Sequence, residues 1–158
     1  MRYLAVLGAV ALLAPAGADA QTATQVVRFE VTAINQIGVM GSPAPLAITN
    51  ATAGTSLTSV TSGGSSLAVT TNEANKKITA ALDQPLPSGV TLEVTLAAPS
   101  GASSANYVPL STSGADLVTG ISATNAVSLP LTYRLSATPQ ASIGTQTRTI
   151  TYTIVSGT

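Results

Sequence analysis

The sequence predicts an all-β fold, and three observations carry that reading. From residue 21 onward, 24 Thr and 17 Ser make up close to a third of the chain, mixed with Val, Ile, Leu and Ala. Thr, Val and Ile are β-branched, so their restricted rotamers suit strands better than helices. Apolar residues alternate with polar ones, where an amphipathic helix would repeat them every three or four positions. Turn-forming clusters of Ser, Gly, Pro and Asn interrupt the pattern throughout.

Taken in order, residues 25–35 (QVVRFEVTAIN) form the first predicted strand, with Val27, Phe29, Val31 and Ala33 on one face and Arg28, Glu30 and Thr32 on the other. Weaker strands are expected at 46–50, 66–71, 77–82, 107–110 and 116–121. In 91–97 the inward set is Leu92, Val94 and Leu96, opposed by Glu93 and Thr95. The clearest alternation is 127–137, where Val127, Leu129, Leu131, Tyr133 and Leu135 oppose Ser128, Thr132, Arg134 and Ser136. A strong last strand covers 147–155. Such strands are buried on one face only, which predicts a single antiparallel β-sandwich of the immunoglobulin-like or Greek-key type with roughly seven to nine strands. Pro130 cannot donate to a ladder and so predicts an edge or a bulge. Arg148 shares parity with Ile150 and Tyr152, so it lies at the strand's mouth or marks a shifted register. The stretches 52–66 and 100–113 read as long loops.

Met1-Arg2, an apolar run over 3–14 and the small triplet Ala18-Asp19-Ala20 form a secretory signal pattern with cleavage before Gln21. The expected organisation is therefore a signal peptide at 1–20 and a β-sandwich domain at 21–158. The run is too short to span a bilayer, and no transmembrane segment is expected after cleavage. Localisation follows as secreted, extracellular or cell-surface, with the periplasm as the other destination.

The chain has no His and no Cys, six Lys and Arg, six Asp and Glu, and no net charge. Without His a Ser-His-Asp triad cannot be built, and without Cys neither disulfides nor thiolate sites are available. Six cations leave no electrostatic footprint for nucleic acid. A Ser-Lys dyad would need Lys76 or Lys77, which read instead as strand-edge lysines that deter pairing. Glu30, Glu73, Asp83, Glu93 and Asp116 are scattered singly, with no acidic loop for calcium and no pair for glycosidase work. No enzyme activity, catalytic residue, cofactor or metal is expected. A glycan platform would need an exposed ring, and Tyr107 is the one aromatic residue not committed to a core position.

In its leader, its Ser/Thr/Ala/Gly-rich body and its closing strand TRTITYTIV at 147–155, the chain resembles the small secreted all-β surface proteins of bacteria, such as the β-sandwich subunits of fibres and pili. It departs from many pilins in lacking a cysteine pair. The resemblance implies a non-catalytic structural or adhesive surface component that self-assembles into fibres by strand exchange or edge pairing. Its partner would be a further copy in a homo-oligomer or filament. Val27, Phe29, Val31 and Ala33 are the candidate donor-strand residues, able to fill a row of pockets in an exposed groove, or else they belong to the first strand of their own sandwich. The alternative is a monomeric glycan- or protein-binding module.

Overall fold

The structure, a computed structural model, describes residues 21–157, so the leader expected at 1–20 lies outside the described residues. These residues fall into two units, 21–31 and 32–157. The first has no strand or helix and is exposed throughout. The second is all β, with nine strands: β1 (Asn35–Gly41), β2 (Val60–Thr71), β3 (Lys76–Leu82), β4 (Val90–Leu96), β5 (Ser103–Ser104), β6 (Val108–Pro109), β7 (Ala115–Ile121), β8 (Thr124–Ala137) and β9 (Ile150–Ser156). Among the described residues no helix is long and apolar enough to cross a membrane.

The strands form two antiparallel sheets, β1-β2-β8-β4-β6 and β5-β7-β3-β9. Every connection after β2 passes from one sheet to the other, so no paired strands are joined by a tight hairpin. Sheet pairing is therefore long-range throughout, as between β2 and β8. The alternation seen in the sequence points one side chain of each pair inward. Leu67 and Val69 of β2, Val94 and Leu96 of β4 and Leu131 of β8 face Ile78 of β3 and Val118 and Ile121 of β7, all at 1% exposure or less. Each such burial contributes about 1.5–3 kcal/mol, which is how the fold holds without disulfides.

Two strands differ from expectation because a strand needs a partner as well as a pattern. Residues 25–34 alternate strongly but lie in no strand; the first strand is β1, which pairs with β2 in unbroken register from Asn35↔Thr71 to Gly41↔Ser65. Residues 46–50 likewise form no strand. Ser62-Gly63-Gly64 has the composition of a turn but forms a bulge inside β2, where Ser62 pairs with Tyr133 but Ser65 with Leu131, so part of the loop expected at 52–66 is strand.

A second bulge corrects the inward set of β8. Leu67 pairs with Leu129, yet Val69 pairs with Ala126, and Ser128 takes φ 56° in between. The extra residue reverses the parity. Val127 therefore turns outward at 74% exposure, while Ala126 packs against the core. Pro130 pairs with Ser66 in regular register on a central strand, between the two bulges, so it lies at neither an edge nor a bulge.

Lys76 and Lys77 are not at an edge either. β3 is central in its sheet, between β7 and β9. Lys77 pairs with Asp116 at 3.1 Å, and the nearly buried Lys76 pairs with Glu73 at 2.9 Å.

Candidate functional site: an apolar groove beside an open strand edge

The two sheets end differently on their two sides. On one side the edges are β5 and β6, of two residues each, too short to template a further strand. On the other side lie β1 and β9, seven residues each, which approach within 8 Å between Cα atoms. Among the described residues β9 pairs only with β3, so its other edge carries backbone groups with no strand partner.

Where β1 begins and β9 ends, a polar network ties the two together. Thr71 Oγ1 donates to Asn35 Oδ1 at 2.8 Å, and the Asn35 amide donates to Glu73 Oε2. Lys76 Nζ sits 2.9 Å from that same oxygen and donates to Ser156 Oγ at 3.3 Å. The hydrogen bond from Asn35, and then that from Lys76, hold the Glu73 carboxyl below the usual carboxylate range.

Toward the other end the sheets part. A groove of about 1100 Å³ opens there, floored by Leu92, Tyr133 and Leu135 and walled by Ile150 and Tyr152 of β9. Its lips are the irregular segments 43–48 and 141–149. The Tyr133 and Tyr152 hydroxyls meet at 2.8 Å across the two sheets. Burial, reinforced by the Tyr133 hydroxyl, pushes the Tyr152 phenol far above its ordinary range, so it stays neutral and only hydrogen-bonds. Arg148 lies at the mouth of β9, outside the strand, donating from Nε and Nη2 to the Pro85 carbonyl at 3.1 and 2.9 Å. The groove's floor is thus apolar with a phenol pair, and Ser142, Thr145, Gln146, Thr147, Arg148 and Thr149 make one lip polar, an arrangement suited to packing the apolar face of an extended segment.

The donor candidates separate into two groups. Val27, Phe29 and Val31 are 71%, 87% and 78% exposed, in a stretch with no regular structure. Ala33 is exposed too, but it belongs to the sandwich unit and is bracketed by Asn72. The Asn72 side chain donates to the Thr32 carbonyl at 2.8 Å and accepts from Ile34 N–H at 2.8 Å, while its backbone N–H donates to Ile34 O at 3.3 Å. Asn72 thereby extends the β1–β2 ladder past Asn35, back to Thr32.

Tyr107, the candidate sugar platform, is half-buried, with the Arg134 guanidinium 4.0 Å over its ring. Arg134 in turn binds Glu93 at 2.6 Å and holds that carboxyl below its ordinary range, chiefly through the hydrogen bond. One ring face is thereby taken from any stacking ligand. The residues that line the groove are not legible in the sequence, because its walls come from segments far apart in the chain; the inward parity of Leu92, Tyr133 and Leu135 marks only its apolar floor. The chain matches none of the known family models, curated proteins or solved structures with which it was compared.

Proposed function

We propose that this protein is a secreted, non-catalytic structural or adhesive surface component whose copies assemble by strand exchange, residues 21–31 of one copy lying along β9 in the groove of the next. The single observation that carries this reading is the pairing of an open apolar groove with an exposed alternating segment in the same chain.

The dimensions agree. At about 3.3 Å per residue the seven residues of β9 span about 23 Å, and residues 21–31 reach about 36 Å when extended. Val27, Phe29 and Val31 share one face of such a strand, with Arg28 and Glu30 left facing solvent. Burying those three side chains contributes about 5–9 kcal/mol, and main-chain pairing along β9 adds about 0.5–1.5 kcal/mol per hydrogen bond. Association costs about 4–15 kcal/mol. The sum favours assembly only when side chains and ladder act together, which is how an added strand is recognised. Zero net charge leaves little long-range repulsion between copies. Secretion rests on the leader pattern of residues 1–20.

The test is negative-stain microscopy and sedimentation of residues 21–158 beside the Phe29→Asp variant. The proposal expects filaments or high-mass species from the parent and monomers from the variant. Two monomers, or filaments from both, would refute it.

A further inference from the structure

The groove has two possible occupants made of the same residues, since the N-terminal segment of a chain can enter either its own groove or that of a second copy. We infer that Asn72 decides between them, acting as a positioning residue that denies the segment its own groove and so commits it to a second copy. This rests on the strand-exchange reading above.

The argument is one of reach. β1 starts at Asn35 at the same end of the sandwich where β9 finishes at Ser156, because Asn35 pairs with Thr71 and Lys76 pairs with Ser156 on either side of the 72–75 turn. The groove lies toward the opposite end, against Ile150 and Tyr152. A segment entering its own groove must therefore reverse just before β1 and run back along β9. The natural place to reverse is 32–34, which would bring Val31, Phe29 and Val27 in sequence alongside β9.

Asn72 occupies that place. Its side chain holds the Thr32 carbonyl and the Ile34 N–H, both at 2.8 Å, and its N–H holds the Ile34 carbonyl. Three bonds keep 32–34 in line with β1 and past its end. With the clamp made, the chain overruns the end by three residues, about 10 Å, and must cover the same about 10 Å in returning. A tight reversal takes about two residues more. Residues 27–31 are spent on turn and return, so all three large apolar side chains fall short of the groove. Only 21–26 remain, and their one large apolar side chain is Val26. A second copy imposes no such detour, and the whole of 21–31 is available to it.

The absence of cysteine permits a clean trapping experiment. A Phe29→Cys, Tyr152→Cys double variant of residues 21–158 is oxidised and resolved without reductant, alone and with Asn72→Ala or Asn72→Asp added. With Asn72 intact, cross-linked ladders are expected. Asn72→Ala should shift the ratio of internally closed monomer to ladder by about ten-fold or more, the effect of losing two ordinary hydrogen bonds. Asn72→Asp keeps the acceptor for Ile34 N–H and should fall between. Thermal melts confirm which variants are folded, and the Asp variant serves if the Ala variant is not. Ladders in unchanged proportion across all three would overturn the role of Asn72 and leave strand exchange standing. No ladder and no closed monomer in any of them would overturn strand exchange itself, and this inference with it.

Discussion

Gly41 offers a perturbation whose cost can be worked from geometry. It ends β1 at φ +74°, opposite Ser65, where the chain turns into the lip of the groove. A Cβ placed there would collide with the Gly64 carbonyl oxygen and press on Ser65 Cα at 3.4 Å. Gly41→Ala therefore carries two penalties. Left-handed backbone costs a non-glycine residue about 1–2 kcal/mol, and forcing the bulge to move costs about 1–3 kcal/mol more. The total of about 2–5 kcal/mol is a large share of the about 5–15 kcal/mol that holds a domain together. Gly101 isolates the first penalty, having φ +82° but nothing within 4 Å of its added Cβ. Urea unfolding followed by circular dichroism reads both variants. With a slope of about 1–3 kcal/mol per molar, Gly41→Ala should lower the midpoint well beyond the fall seen for Gly101→Ala. Equal midpoints for the two variants would refute the close packing of β1 against the β2 bulge.

Three further outcomes follow from named contacts. The Ser65 hydroxyl is the one buried side-chain polar atom among the described residues without a hydrogen-bond partner; Ser65→Ala should leave stability unchanged or raise it by up to about 1 kcal/mol, read by the same urea titration. Glu93 and Glu73 both have carboxyls held below their ordinary range, so the stability they add is present above that range and is lost as pH falls through their lowered folded values. Urea midpoints measured from pH 6 down to pH 2 should therefore decline, and less steeply in Glu93→Gln. Tyr152→Phe should cost about 1 kcal/mol by removing the hydroxyl contact that joins the two sheets at the groove, measured by thermal melting.

Much of the sandwich can be read from the sequence because one-sided burial writes itself as alternation. Leu92, Val94 and Leu96, and Leu129 to Leu135, face inward as their parity requires. What escapes is whatever depends on a partner strand. Val127 follows the alternation of its neighbours, yet one extra residue in the ladder turns it out. Ser62-Gly63-Gly64 has the composition of a turn, and only pairing with β8 makes it a bulge. Residues 25–33 alternate more strongly than Asn35–Gly41, but it is the weaker pattern that finds β2 beside it. Lys76 shares the inward parity of Ile78 because Glu73 and Ser156 sit at the end of the core to receive it. The candidate site divides in the same way. The alternation of Val27, Phe29 and Val31 is local and legible, whereas the groove arises from segments brought together only by folding, and the Asn72 clamp from contacts 38 and 40 residues apart in sequence.

The central claim is that an apolar N-terminal segment is received by the groove along β9. The most direct test titrates a synthetic peptide of residues 21–31 into isotope-labelled residues 32–158, the compact unit that contains all nine strands. Amide and methyl NMR shifts should move along β9 and at Leu92 and Leu135, saturably, and a peptide carrying Phe29→Ala should bind at least ten-fold more weakly. A folded sandwich whose β9 and groove signals stay still at millimolar peptide would contradict the account.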